Sequence, residues 1–267
     1  MSTAAEVSGK RIPANDNDRM RQAAEILLEA RRELTPIVEL PEALKPHTLE
    51  EAYALQDIMA EAVGPIGGWK VGAPSPEATP LFSAMPFWGG YGTSGAHAND
   101  NFRRMRGVEA EIAFCLGGDL PSRAQAYSSD EVRAAIASAH PAIELLESAF
   151  LEPADADRLS VIGDLQSNGG FVYGPALADW ERVDLANESV VVSIDGAVRV
   201  EAKASNTAGT DLLRLVTFLA NEGSARTGGL RAGDWITTGS WSGKTLANHG
   251  SQVKVEFSTF GVVTMSF

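Results

Sequence analysis

Apolar residues recur at helical spacing near the start of the chain and at strand spacing over much of the rest. The pattern predicts a helix near residues 18–34. Thr48 followed three residues later by Glu51 is a capping box, and the apolar positions after it predict a second helix that ends near Gly64. The chain therefore opens with a helical unit.

From residue 67 onward the apolar period is mostly two, which is typical of strands. A further capping box at Ser128 predicts a helix to about His140, and another helix is predicted at 211–221. Strands are predicted at 69–72, 108–116, 190–194, 197–201, 235–238, 253–257 and 262–267. The order favours an α+β fold. We expect a disordered leader (1–18), a helical N-terminal subdomain (19–66) and a β-rich domain (67–267).

Charge and composition exclude several classes of partner and of structure. The 267 residues carry a formal net charge of −13, and such an acidic surface repels nucleic acid and anionic lipid. The single cysteine, Cys115, excludes a disulfide framework within the chain. No apolar run is long enough to span a membrane, and the polar N-terminus lacks an apolar signal core. We therefore expect a cytoplasmic protein.

Two glutamates share one face of the strand predicted at 108–116. Strand side chains alternate, so Glu109 and Glu111 point together away from the apolar positions. Like charges side by side cost free energy unless a cation compensates, and carboxylate oxygens suit Mg²⁺, Mn²⁺ or Ca²⁺. Solvent exposure of both glutamates is the alternative. Glu144, inside the apolar run 141–146, is either a buried third ligand on an extended segment or an exposed residue of a helical turn.

Two more short motifs are candidates for the same site. Lys70 lies between apolar strand residues bracketed by glycines, where burial would lower its pKa towards acid–base work, although a surface lysine is the alternative. In the turn 237–240, the hydroxyls of Thr238 and Ser240 and the backbone N–H groups are suited to hold a carboxylate.

Four short segments, taken in order, resemble segments of the 2-keto-4-pentenoate hydratases; they are 68–72, 108–114, 141–144 and 237–240. The 2-oxohept-4-ene-1,7-dioate hydratases and 4-oxalocrotonate decarboxylases of the fumarylacetoacetate hydrolase superfamily share the likeness, which includes the stretch 167–174 and runs from about residue 23 to the C-terminus. It implies a helical N-terminal part followed by a mixed β-roll, and a homo-oligomeric lyase acting on a small 2-keto acid.

The resemblance also implies roles for individual residues. Residues matching Glu109, Glu111 and Glu144 bind Mg²⁺ or Mn²⁺, and the lysine matching Lys70 lies in the active site. The residue matching Thr238 lies near the substrate carboxylate. Ser240 and Ser167 are expected beside it as further substrate contacts.

One loop departs from the family pattern. The family usually has an acidic Glu-Pro-Asp-x-Gly loop whose aspartate assists proton transfer, whereas residues 79–90 contain no aspartate. The nearest acid upstream, Glu77, is then the candidate catalytic acid. Phe82, Phe87 and Trp88 are expected either to line the substrate pocket or to pack under the loop or at a subunit contact.

The expected activity is metal-dependent addition of water to a 2-hydroxydienoate or 2-keto-enoate such as 2-hydroxypenta-2,4-dienoate. Decarboxylation of a 4-oxalocrotonate-like acid, C–C hydrolysis of an acylpyruvate and a non-catalytic role remain alternatives. The hydrolysis needs a water activated by a His or Glu dyad, which the sequence does not place.

Overall fold

The computed structural model describes residues 14–86, 91–98 and 104–267. The helices are α1 (Ala14–Arg32), α2 (Leu49–Val63), α3 (Ser129–Ala135), α4 (Arg158–Gly163), α5 (Leu212–Glu222) and α6 (Ser224–Thr227). Short 3₁₀ turns lie at Glu42–Leu44, Leu165–Ser167 and Trp180–Arg182. Within this described part, none of the helices is long and apolar enough to cross a membrane.

The strands are β1 (Ile66–Gly72), β2 (Leu81–Pro86), β3 (Tyr91–Thr93), β4 (Ala96–His97), β5 (Gly107–Leu116), β6 (Leu120–Pro121), β7 (Ile136–Leu146), β8 (Asn168–Tyr173), β9 (Ser189–Ile194), β10 (Ala197–Lys203), β11 (Gly229–Leu230), β12 (Trp235–Ser240), β13 (Thr245–Leu246), β14 (Gln252–Phe257) and β15 (Gly261–Ser266).

The strands form one large mixed sheet, a second smaller sheet and a two-stranded ribbon. The large sheet has the order β2-β1-β12-β5-β7-β8-β3, and β13 also pairs with β5. The second sheet has the order β10-β9-β14-β15-β4, and β11 pairs with β6. With helices gathered at the N-terminus and on the sheets, the chain has the α+β architecture that was predicted.

Helix α2 forms where its capping box predicts. The Thr48 side chain accepts a hydrogen bond from the Glu51 backbone N–H, and the Glu51 carboxylate accepts one from the backbone of His47. Helices α1 and α2 pack on each other, and α2 also packs on α4 and β2. Their apolar faces and those of both main sheets belong to one continuous core.

The helix predicted from Ser128 to about His140 is much shorter in the structure. It keeps its capping box but ends at Ala135, and β7 begins at the next residue. Pro141 disfavours helical backbone just before it, and β7 pairs with β5 on one side and β8 on the other. Helix α1 begins at Ala14, four residues before the predicted start.

Candidate metal centre and its pocket

Three carboxylates converge on the inner face of the large sheet. Glu109 and Glu111 lie on β5, whose alternate residues Ala110 and Ile112 are buried in the core. Glu144 lies on β7 directly opposite Glu109 in the strand register. One oxygen of each of the three carboxylates lies within 4.8 Å of the others, among the described residues. The shared strand face predicted from the sequence is therefore present.

Burial makes this arrangement costly without a cation. Glu111 and Glu144 are buried, and Oε2 of Glu144 has no hydrogen-bond partner within the described part of the protein. Burial and the neighbouring carboxylates raise the pKa of Glu111 well above its usual value, and burial raises that of Glu109. An unpartnered buried oxygen beside two other carboxylates fits a hard divalent cation, which takes oxygen ligands.

Lys70 reaches the same carboxylates from a distant strand of the large sheet. It lies on β1, separated from β7 by β12 and β5, yet its Nζ donates to Oε1 of Glu144 at 2.7 Å. In a flat sheet, three strand spacings would separate the backbones of β1 and β7 by roughly 14 Å. The contact therefore shows that the sheet curls and brings its inner face together.

The charge state of Lys70 differs from the expectation. Burial alone would lower the pKa of its ammonium, but the charges of Glu144, Glu109 and Glu111 outweigh burial and raise that pKa. Lys70 is thus a protonated counter-ion of the carboxylates. Its reach into the pocket agrees with the predicted location, whereas a depressed pKa is not observed.

The turn at the end of β12 supplies a backbone donor. Gly239 adopts φ +91°, a conformation that side chains disfavour, and its N–H donates to Oε2 of Glu111 at 2.8 Å. Ser240 lies opposite Glu111 in the register, and its hydroxyl offsets a small part of the burial that raises the pKa of Glu109. Thr238 is fully buried, and its hydroxyl donates to the carbonyl of Ile112 at 2.6 Å.

A cavity of about 280 Å³ opens beside these groups. Its lining combines carboxylates and a lysine with apolar side chains, as small-molecule sites usually do. Its lining consists of Lys70, Val71, Gly72, Ala73, Pro74, Leu81, Glu109, Glu111, Gln166, Thr207, Gly239 and Ser240. Thr238 is absent from this lining because its hydroxyl is turned to the β5 backbone.

Several predicted site residues lie elsewhere. Glu77 is exposed in the turn after β1 and does not line the cavity. Phe82 points away from the site because it alternates with Ser83 on β2, and its ring stacks on Tyr53 of α2 at 4.7 Å between centroids. Of the alternatives left open for Phe82, packing into the core is the one that the structure shows. Trp88, like Phe87, lies outside the described residues.

Ser167 follows the lining residue Gln166 in the segment between α4 and β8, with φ +60°, but is not among the described lining residues. The next residue, Asn168, was not predicted as a site residue, yet its side-chain amide donates to Oε1 of Glu144 at 2.9 Å. Gln166 also escaped prediction, although its carbonyl accepts from Nζ of Lys70 at 3.1 Å. A polar Gln-Ser-Asn run before a strand is ordinary in a sequence, so no local signal marked it.

An aromatic cluster adjoins the acidic end of the inner face. Phe171 lies opposite Glu144 in the register and is fully buried beside Ala142 and Ala113. Its ring approaches Trp235 at 5.4 Å, and Tyr173 stacks on Trp235 at 4.1 Å. None of these three aromatic residues is among the described lining of the cavity, so the cluster packs beside Glu144 without forming a wall of the pocket.

The comparisons with known proteins agree with this fold and site. The family described as fumarylacetoacetate (FAA) hydrolase, C-terminal, matches residues 60–267, so the chain belongs to the fumarylacetoacetate hydrolase family. This confirms the resemblance inferred from the ordered motifs.

Individual relatives are more distant. A 4-oxalocrotonate decarboxylase of Pseudomonas putida is 29% identical over 160 residues, which cover 60% of this chain and 59% of that protein. A 2-keto-4-pentenoate hydratase of Paraburkholderia xenovorans is 26% identical over 261 residues, covering 92% of this chain and 94% of the relative. The "TodF product hydratase" of Pseudomonas putida is 28% identical over 264 residues, 93% and 95% of the two chains.

Solved structures confirm the fold. The 4-oxalocrotonate decarboxylase of Pseudomonas putida G7, complexed with magnesium and adipate, matches with a TM-score of 0.79 at 24% identity, over 96% of this chain and 99% of that one. The same enzyme complexed with calcium and acetate matches with a TM-score of 0.78. Both structures therefore contain a divalent cation and a carboxylic acid.

Proposed function

We propose that the protein is a divalent-metal-dependent lyase that adds water to a short 2-hydroxydienoate or 2-keto-enoate, such as 2-hydroxypenta-2,4-dienoate. The observation that carries this proposal is the convergence of Glu109, Glu111 and Glu144 with Lys70 at the edge of a small cavity. The relatives named as hydratases, which match over nearly the whole chain, support the reaction class.

Glu109, Glu111 and Glu144 would hold the cation, which we propose to be Mg²⁺ or Mn²⁺. When bound, the cation supplies positive charge that binds the substrate carboxylate and stabilises negative charge on the 2-oxo oxygen. The Gly239 N–H and the Asn168 amide orient two of these carboxylates.

Lys70 would act as the proton donor. Its ammonium faces the cavity and is held by Glu144 and by the Gln166 carbonyl. Conversion of the dienol to its keto form moves one proton from the 2-hydroxyl group to the far end of the carbon chain. Water then adds across the remaining alkene, with its oxygen going to the distal carbon and its proton to the neighbouring one. A protonated lysine beside the reacting chain is the donor that the described cavity offers for these transfers.

The apolar wall of the cavity favours an apolar tail. Leu81, Ala73 and Pro74 line that side, and Lys70 is the one cationic side chain among the described residues of the lining. A second substrate carboxylate placed against this wall would lose hydration without gaining an ionic partner. The substrate proposed is therefore a monocarboxylate.

Decarboxylation of a vinylogous 2-keto acid is the second candidate. The 29% identity with a 4-oxalocrotonate decarboxylase favours it, and charge stabilisation at the 2-oxo oxygen serves both reactions. The hydrolase alternative has less support, because none of the described lining residues is a histidine that could activate water. Assembly into a homo-oligomer stays a prediction.

A direct test measures loss of the dienoate absorbance and formation of 4-hydroxy-2-oxopentanoate by the purified protein with Mg²⁺ or Mn²⁺, and with EDTA. CO₂ release from 4-oxalocrotonate is followed in parallel. We expect metal-dependent hydration that falls at least about 100-fold in Glu144→Gln. CO₂ release without hydration would select the second candidate. Metal binding with no turnover of either acid would identify a non-catalytic family member.

A further inference from the structure

Three consecutive residues beside the site have left-handed backbone. Leu165, Gln166 and Ser167 have φ values of 55°, 47° and 60°, and none of them is glycine. Single left-handed residues occur in turns, but a run of three side-chain-bearing residues costs free energy at each position. Such a segment persists only when surrounding contacts hold it in place.

A single guanidinium supplies contacts on both sides of this segment. Arg31 of α1 is buried, and its Nε donates to Oδ1 of Asp164 at 2.6 Å. Its Nη2 donates to the carbonyls of Asp164 and Glu147 at 2.8 and 2.9 Å, and its Nη1 to that of Asn168 at 2.9 Å. Asp164 precedes the left-handed segment and Asn168 follows it, so Arg31 clamps both ends.

Asp164, which Arg31 holds at the start of the segment, is also bound to the chain that follows β7. Oδ2 of Asp164 accepts hydrogen bonds from the Ser148 hydroxyl at 2.7 Å and from the Ala149 N–H at 2.9 Å. Both residues lie just beyond Leu146, the last residue of that strand. The left-handed segment is therefore held relative to the strand that carries a candidate metal ligand.

The held segment presents its polar groups to the site. The Gln166 carbonyl accepts from Nζ of Lys70, and the Asn168 amide donates to Oε1 of Glu144, the oxygen that Lys70 also contacts. Gln166 is tied to β2 as well, because its side chain donates to the Phe82 carbonyl at 3.0 Å. Small rotations within 165–167 would move both groups away from Lys70 and Glu144.

We propose that Arg31 is a positioning residue for the catalytic centre, although it does not line the cavity. It acts through the left-handed segment, whose geometry sets the distance between Lys70 and Glu144 and the orientation of the metal-binding carboxylate. The planar, multiply donating guanidinium is required, since a lysine ammonium cannot reach both ends of the segment at once. The expected effects on metal binding and turnover rest on the proposed function. The holding of 165–167 by Arg31 does not depend on it.

The experiment compares Arg31→Lys with Arg19→Lys. Arg19 lies on the same helix, is ion-paired with Glu51 and donates to the Lys45 carbonyl, but has no contact with 164–168 among those the structure shows. Hydrogen–deuterium exchange of a peptide spanning 165–170, Mn²⁺ affinity, kcat and KM are measured for each, with unfolding midpoints. Asp164→Asn, which keeps the side-chain shape, is carried alongside in case Arg31→Lys does not fold.

We expect Arg31→Lys to speed exchange of the 165–170 peptide, to weaken Mn²⁺ binding at least about 10-fold and to lower kcat more than it changes KM. Arg19→Lys, which leaves 164–168 untouched, should change Mn²⁺ affinity and kcat by less than about twofold. Unchanged exchange and affinity in folded Arg31→Lys or Asp164→Asn would overturn the proposal, and so would fast exchange of this peptide in the unsubstituted protein. If that protein binds no metal, the proposed function fails, while the exchange data still decide on the clamp.

Discussion

Replacing Glu111 by glutamine should stabilise the metal-free protein and remove its response to metal. Glu111 lies within 4.8 Å of both Glu109 and Glu144, and the neighbouring charges contribute to its raised pKa. Glutamine keeps an oxygen that can accept the Gly239 N–H, and its amide can donate to a neighbouring carboxylate. The substitution therefore removes a negative charge without removing the hydrogen bond.

The size of the effect follows from the geometry. Two unit charges at that separation repel by about 3.5 kcal/mol at an effective dielectric constant of about 20. The Lys70 ammonium offsets part of this repulsion, and the raised pKa values mean that protonation relieves another part. We expect a net gain of about 1–3 kcal/mol at neutral pH, which corresponds to roughly 2–10 °C in the unfolding temperature.

The assay is thermal unfolding with EDTA and with a series of Mg²⁺ or Mn²⁺ concentrations. A cation present at 100 times its Kd stabilises the unsubstituted protein by about 2.7 kcal/mol, and Glu111→Gln should lose most of that gain. Glu188→Gln is the matched control, because Glu188 is also buried but lies outside the cluster. A metal-induced shift in Glu111→Gln equal to that of the unsubstituted protein would refute the metal centre.

Three other predictions test separate parts of the structure. Lys70→Met should retain divalent-cation binding, since it removes a competing cation, but lower kcat by about 10²–10⁴-fold; an unchanged kcat would exclude a role in proton transfer. Burial lowers the pKa of His140 below its usual 6.5, so the unfolded chain binds the proton first and stability falls as the pH drops below that value. Urea unfolding between pH 7.5 and 5.5 should show a smaller loss in the free energy of unfolding for His140→Gln than for the unsubstituted protein. An identical loss in both would show that another group causes this pH dependence. Finally, kcat/KM should be higher for the five-carbon dienoate or a longer apolar analogue than for a seven-carbon dicarboxylate; the reverse order would contradict the apolar wall.

The carboxylate cluster was predictable because it depends on local periodicity. Alternation along β5 places Glu109 and Glu111 on one face whatever the rest of the chain does. Glu144 could be interpreted only once its segment was known to be extended, because a helical turn would have left it in water. The pairing of β7 with two neighbours settles that question and explains why Glu144 is fully buried.

The parts that escaped prediction depend on contacts between distant residues. Gln166 enters the site because its backbone is left-handed, a state that no propensity assigns to leucine, glutamine and serine in succession. Arg31 and Asp164 are 133 residues apart, so neither signals its buried partner in the sequence. The choice between a pocket position and a core position for Phe82 could not be made, because the boundaries and register of β2 were not predicted and a shift of one residue reverses the face of a side chain.

Charge balance links the three carboxylates to the kind of ligand they accept. Lys70 neutralises one of the three charges, and a divalent cation would neutralise the other two, whereas a monovalent cation would leave a negative site. A substrate with one carboxylate would then leave the occupied site with a single net negative charge. A dicarboxylate would add two, and the nearest further cation acting on Glu109 is the exposed Lys244. In a chain with a net charge of −13, no long-range attraction assists an anionic ligand. Under the proposed function, affinity for the keto acid would come from the metal together with Lys70, so the keto acid should bind more tightly once the cation is bound.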